Sequence, residues 1–415
     1  MSTITYKGDI APDGTVHPFR IAIRDGVSSD AMERFHTLPT IEVVHDPLRA
    51  QGMLIRHATK FLLREEVEKY QDLMCLVRVG VGTDNIDMQL ASNAGIATMN
   101  TPGASTRAVA QRALAFMLTW AARTVQGTQA LAHRKWSKGE TSLEPIDLSE
   151  KTLGIIGYGR IGQILKKIAE PHFQRVIHFD VREHAEGIDL DTLLKEADVL
   201  SLHTSGTEEI LTPKALLLLK ATALIVNTSR GGVVNTKALL RRMDEGVSVA
   251  LDVFPVEGPE MFQDPLIARL VTHPRFIGTP HTAASDPVTQ RKLGREGAEH
   301  LEIFAMQGVV NAHDLQGHTL PRVAPTTPQY PGIRGILTHR DAPGVLARIT
   351  ESIRQQNIDV RTVIHEKGTV NGGIPLSMTI IDLVEERVET VLKMMDVLSK
   401  EIQPLKKRLL SYNSA

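Results

Sequence analysis

Cysteine is nearly absent: the 415-residue chain holds one, Cys75. A single thiol cannot close an internal disulfide, so stability must come from packing, and a reducing compartment is expected. Cys75 stands in the apolar run Met74-Cys75-Leu76-Val77 and reads as core rather than nucleophile. An excess of either charge is missing too. The net charge is −1, so no basic surface speaks for nucleic acid or an anionic membrane. No apolar run approaches the roughly 20 residues that span a bilayer, and the first residues lack the charged and apolar regions of a signal peptide. The expectation is a cytoplasmic protein with no membrane and no nucleic-acid partner. The 16 histidines include no HExxH or comparable short ligand pair, so no metal is expected.

What the chain has is a set of glycines in context. Gly157-Tyr158-Gly159-Arg160-Ile161-Gly162 follows the apolar run Thr152 to Ile156, which reads as a buried strand. It opens a stretch to Ala169 with Ile161, Ile164, Leu165 and Ile168 at helical spacing. A second strand, Val176 to Phe179, ends on Asp180, 18 residues beyond Gly162. This is the dinucleotide-binding fingerprint in the strand–turn–helix setting it requires. The glycines permit a tight turn, a close approach to pyrophosphate and close helix packing, with the helix N-terminus facing the phosphates. Asp180 can accept the ribose hydroxyls and would repel a 2′-phosphate, which points to NAD. Arg182, two residues later, leaves NADP open.

Length allows two or three domains. The first hundred residues alternate short apolar runs (at Ile21, Ile41, Gly52, Leu76 and Ile96) with amphipathic segments such as Ser29 to Leu38 and Arg64 to Leu73. That rhythm predicts a small parallel sheet with helices on both faces. One long helix, Ser105 to Gln126, is expected to bridge into the nucleotide domain, with Ser105 or Thr106 as its N-cap. Strands at Val199, Ala223, Ser248 and Phe276 continue the alternation. A proline-rich stretch, His318 to Gly332, reads as a linker. Beyond it a strand–helix–strand–strand–helix–strand pattern, with a glycine-rich turn from Gly368 to Gly373, predicts a ferredoxin-like module. The expected domains are 1–104 with 284–317, then 105–283, and finally 333–415 after the linker. The fold class is α/β: a doubly wound Rossmann domain, a flavodoxin-like substrate domain and a C-terminal ferredoxin-like α+β domain.

From about Arg20 to Asn311 the chain resembles the D-isomer-specific 2-hydroxyacid dehydrogenases. The segments that carry this are Arg78 to Asp87 (RVGVGTDNID), the fingerprint, Asn227 to Gly232 (NTSRGG), Leu251 to Glu257 (LDVFPVE) and Thr279 to Thr282 (TPHT). The tail resembles an ACT domain through His339 to Ala347 (HRDAPGVLA). Dehydrogenase, proline-rich linker and ACT domain together are the arrangement of the phosphoglycerate-oxidising branch of that family. The resemblance therefore implies NAD-dependent oxidation of 3-phosphoglycerate to 3-phosphohydroxypyruvate, the first step of serine synthesis. It also implies a homo-oligomer, with Trp136 in His133 to Lys138 packed on a neighbouring subunit.

Oxidising a secondary alcohol needs a base, a group that supports it and a cation for the substrate carboxylate. His281 suits the base, since imidazole titrates near neutral pH. Glu257 can orient the ring and stabilise its cation, and Arg230 can hold the carboxylate through its planar fork. The family's catalytic residues fall on these three by motif, and Thr228 and Asp252 join the cofactor set. Arg56, Gly80, Asn100 and Arg107 are the substrate candidates, with His57 and Lys60 beside Arg56. Gln111, Gly258 and His57 depart from the family pattern. In the tail, His339, Asp341 and Asp359 occupy the positions where relatives bind serine. An amino-acid effector and a purely structural dimerisation role both stay open. A tail that is a separate module implies that a chain cut after about Gln316 leaves a folded dehydrogenase. Two alternatives remain: a dehydrogenase of another D-2-hydroxy acid, and a non-catalytic NAD-sensing scaffold.

Overall fold

A computed structural model describes residues 4–27, 29–182, 187–308, 328, 331–368, 376–384 and 387–414. Most of the linker 318–332 and all of the glycine-rich turn 368–373 after its first residue lie outside these. The chain forms two compact units, Met1–Ala104 with Gln290–Ala415, and Ser105–Thr289. Among the described residues no helix is long and apolar enough to cross a membrane, and no group of three or more His, Cys, Asp or Glu could hold a metal.

In the first unit the strands in chain order are β1 (Ile4–Ile10), β2 (Val16–His17), β3 (Phe19–Ile23), β4 (Ile41–Val43), β5 (Gly52–Ile55), β6 (Cys75–Arg78) and β7 (Ala97–Asn100). The last five make a parallel sheet in the order β4-β3-β5-β6-β7, the flavodoxin-like order. Burial on both faces explains why these strands read as continuous apolar runs. The helix expected over Arg64 to Leu73 is shorter, Arg64–Glu68. Turns follow it, Tyr70 N–H bonding to the Val67 carbonyl and Leu73 N–H to that of Tyr70.

The second unit holds β8 (Thr152–Ile156), β9 (Arg175–Phe179), β10 (Val199–Leu202), β11 (Leu224–Asn227), β12 (Ser248–Leu251) and β13 (Phe276–Gly278). They form a parallel sheet in the order β13-β12-β11-β10-β8-β9 with an apolar core on each face. Strand order reverses between β8 and β10, and the crevice at their carboxyl ends is where an open α/β sheet binds ligands. The single long helix expected from Ser105 to Gln126 is two, Thr106–Ala121 and Thr124–Ala132. Arg123 breaks it by taking a left-handed φ of 53°, with its guanidinium over the Trp120 ring and bonded to the Glu144 carbonyl at 3.3 Å. Ser105 sits at the N-cap, but its side chain makes no capping bond.

The tail folds as β14 (Gly332–Arg340), helix Val345–Gln355, β15 (Val360–Gly368), β16 (Leu376–Leu383), helix Val388–Ile402 and β17 (Lys406–Ser414). Its antiparallel order β15-β16-β14-β17 is ferredoxin-like, and β1 and β2 extend it beyond β17. The first strands, grouped by sequence with the substrate domain, thus pair with the C-terminal sheet. One face of that sheet packs on its own two helices. The other shares a core with the flavodoxin-like sheet and helix Pro287–Gln307: Ile336, Met378 and Leu410 meet Phe19, Leu301 and Phe304.

That helix ends against the sheet. Arg408 donates to the Phe304 and Ala305 carbonyls at 2.8 and 2.6 Å, Tyr412 hydroxyl to that of Met306, and Arg334 to that of Gln307 at 3.2 Å. The helix leaves the last three of these carbonyls without intrahelical partners, and that of Phe304 also accepts the Gly308 N–H at 2.8 Å. Each arginine is buried against a carboxylate, Arg408 on Asp9 at 2.7 and 2.8 Å and Arg334 on Asp382 at 2.6 and 2.8 Å.

Candidate active site

The fingerprint lies at the switch between β8 and β10. Gly157 has a φ of 91°, and a Cβ there would stand 2.5 Å from the His203 carbonyl oxygen. A Cβ on Gly162 would collide with the Gly157 carbonyl. Only glycine permits this close turn, which brings Gly159 to the N-cap of helix Arg160–Ala169. Arg160 and Ile161 make its first turn, so its amides face the crevice as an anion site. At the strand ends Thr228 Oγ1, Thr204 Oγ1 and His203 Nδ1 are buried without a hydrogen-bond partner among the described residues. Burial pushes His203 down to about 3, so its ring is neutral. Thr228 was expected from sequence. His203 and Thr204 were not, although they directly follow the strand bordering the switch.

Asp180 ends β9 and accepts the Tyr158 N–H at 2.7 Å and the Arg182 N–H at 2.9 Å. Burial works to raise its carboxyl, but the N–H bonds from Arg182 and Tyr158 outweigh it and hold the group below the usual range. A glycine cradle, a helix N-terminus, an ionised acid and unpartnered polar atoms together fit a dinucleotide. Gly157, Gly159, Gly162, Arg160, Ile161, Thr228 and Asp180 would hold it.

The catalytic candidates converge in the same unit. His281 Nδ1 is 2.7 Å from Glu257 Oε2, which leaves Nε2 for proton exchange. That bond raises the imidazole above its ordinary value, with burial opposing. Burial also favours the neutral acid at Glu257, yet the bond and charge of His281 hold that carboxyl down. Arg230 acts on both, its positive charge lowering the proton affinity of each. Asn227 shapes its turn, donating to the Arg230 carbonyl and accepting the Ser229 N–H.

Asp252, expected among the cofactor residues, also has partners within the protein. It is 1% exposed, and its carboxylate accepts the Thr279 hydroxyl at 2.5 Å and the Thr282 and Ala283 amides at 3.0 Å. It therefore builds the loop that carries His281, whose φ of 50° is a left-handed value that strains a non-glycine residue. We expect Asp252→Ala to reduce kcat on the order of 10²-fold by displacing the ring, with the Glu257–His281 pair intact. An unchanged kcat would leave the loop holding itself.

In the first unit, Ile55, Arg78 and Asn100 are register partners at the ends of three adjacent strands. Arg56 follows the first. Its amide is fixed by Asp25, which also takes the Thr59 amide and hydroxyl, while its guanidinium has no partner among the described residues. Asn100 donates to the Val81 carbonyl at 2.7 Å, and Gly80 donates to the Thr101 hydroxyl at 2.6 Å. Arg78, missed in sequence, lies with its guanidinium against Gly80. Its position inside the RVGVG segment was the available signal. Arg107 is exposed on the first turn of Thr106–Ala121, in the second unit.

The effector candidates are not brought together. His339 is 1% exposed, with Nδ1 on the Arg340 carbonyl and Nε2 on the Thr379 hydroxyl. Asp341 pairs with Lys367 and accepts the Ser377 hydroxyl. Asp359 is exposed and precedes β15 at the far end of the sheet, beside Val384.

The family profile described as D-isomer specific 2-hydroxyacid dehydrogenase, NAD binding domain, matches residues 114–283. A hydroxypyruvate reductase of Thermotoga maritima is 33% identical over 311 residues, covering 70% of this chain and 99% of that protein. A D-3-phosphoglycerate dehydrogenase of Methanocaldococcus jannaschii is 32% identical over 333 residues, covering 74% of this chain but 62% of that longer protein. The TT0316 protein of Thermus thermophilus superposes with a TM-score of 0.61 at 28% identity, over 68% of this chain and 96% of that one. The chain belongs to the D-isomer specific 2-hydroxyacid dehydrogenase family and is an NAD-dependent enzyme.

Proposed function

We propose that the enzyme oxidises 3-phosphoglycerate to 3-phosphohydroxypyruvate, the reaction that begins serine synthesis. NAD, held by the glycine cradle and Asp180, would supply the acceptor for the hydride leaving C2. His281 Nε2 takes the hydroxyl proton, Glu257 stabilises the resulting imidazolium, and Arg230 holds the carboxylate and polarises the C2 oxygen. The observation that carries the substrate is Arg56: a guanidinium without a partner among the described residues, on a loop pinned by Asp25, beside Arg78 and Asn100. Such a cation matches a phosphate better than a hydroxymethyl group. Similarity to a hydroxypyruvate reductase keeps an unphosphorylated D-2-hydroxy acid as the second reading.

Arg56→Ala should raise KM for 3-phosphoglycerate about 10–100-fold, the loss of one or two kcal/mol-scale charge-assisted bonds. Activity on glycerate should be spared. Arg107→Ala should act in the same direction if its side chain meets the phosphate. Equal losses on both substrates would assign these arginines to structure.

The tail in this reading is an ACT-type module that takes an amino acid, serine first. Asp341 and Asp359 lie about 25–30 Å apart along the sheet, at roughly 3.4 Å per strand residue. Antiparallel pairing of two β15 edges would carry Asp359 of one copy to the Asp341 end of the other, so the ligand would bind between copies. Trp136, 80% exposed, and Leu131, 63% exposed, supply an apolar contact for a homo-oligomer.

A further inference from the structure

Arg182 is not used by the chemistry above, yet it is placed against the cofactor cradle. Its backbone N–H and its Nε both bond the Asp180 carboxylate, at 2.9 and 3.4 Å. Its Nη2 lies 3.7 Å from where a Cβ on Gly159 would stand. The guanidinium therefore reaches from the acid at the end of β9 to the N-cap of the fingerprint helix. A ribose bonded to Asp180 beside the glycine cradle would meet this side chain. The Asp180 side chain is 7% exposed and that of Arg182 is 72% exposed, so the arginine is the partner able to move. An ion pair with one arm in water is weakly held.

We infer that Arg182 is a second cofactor-selecting residue: it competes with the NAD ribose for Asp180, and it supplies a cation to the 2′-phosphate of NADP. The two effects have one origin. Ribose hydroxyls must displace the guanidinium from the carboxylate, which weakens NAD. A 2′-phosphate is repelled by Asp180, but a guanidinium swung off that carboxylate meets it with a planar fork of donors. The enzyme then prefers NAD by a smaller margin than Asp180 alone would set.

The test is fluorescence titration of the purified full-length protein with NADH and NADPH, without any 2-hydroxy acid. It therefore stands whether or not 3-phosphoglycerate is the substrate. Arg182→Ala should tighten NADH about two- to fivefold, the strength of an exposed ion pair, and weaken NADPH about tenfold. Asp180→Ala should improve NADPH binding, and Asp180→Ala with Arg182→Ala should lose that improvement. Arg182→Lys, which keeps charge without the fork, should fall between wild type and Arg182→Ala for NADPH and serves also if the alanine variant folds poorly. Equal changes for both cofactors, or NADPH affinity indifferent to residue 182, would overturn the inference.

Discussion

Replacing His281 with alanine is expected to lower kcat about 10²–10⁴-fold, the usual contribution of a positioned acid–base group, while NAD affinity barely changes. The reason is local. His281 is the imidazole that Glu257 holds at 2.7 Å, and it stands outside the glycine cradle that binds the dinucleotide. Near-normal turnover would move the base elsewhere. Glu257→Gln gives a sharper reading, because the Glu257 bond raises the imidazole above its ordinary value. Oxidation needs the ring unprotonated, so the rate rises as pH climbs through that raised value. Without the carboxylate the inflection should move to lower pH while the maximal rate falls. Reduction needs the ring protonated, so its alkaline limit should move to lower pH too. A pH–rate profile whose inflection stays put would separate Glu257 from the proton transfer.

Asp9→Ala is expected to cost about 3–5 kcal/mol of stability, because it leaves a buried charge uncompensated. The Arg408 side chain is 5% exposed, stacks on Phe19 and caps the helix Pro287–Gln307. It cannot follow its lost partner into water without opening the shared core. Gln51 and Tyr6 also donate to Asp9, at 3.1 and 2.5 Å, and would lose that acceptor. Denaturant titration measures the effect, and a loss no larger than the roughly 0.5 kcal/mol of ordinary surface changes would show the network to be dispensable.

The same contacts correct the expectation that a chain cut after about Gln316 stays folded. The cut removes Arg334, Arg408 and Tyr412 from the carbonyls they cap and strips Ile336, Met378 and Leu410 from the core. It also removes β17, one of the two strands paired with β1. Such a chain should be insoluble or unstable, and a soluble, active 1–316 product would refute this.

Local chemistry was legible because its geometry is written in short spans. The fingerprint glycines, the strand ahead of them and Asp180 lie within one strand–helix–strand unit, so backbone sterics and period identify them without tertiary contacts. Arg230, Glu257 and His281 were legible as motifs, and parallel strands ending on one side explain why the three meet. Other features depended on distant partners. Asp252 reads as one more strand-end acid until the 279–283 loop is seen to consume its carboxylate. Arg123 sits in an apolar helical period that does not reveal its left-handed turn. The N-terminal strand depended on such partners most: β1 could satisfy its backbone at any open sheet edge, and nothing in its residues names which. The choice falls to β17, because Arg408 can be buried only where Asp9 meets it, 399 residues away in sequence.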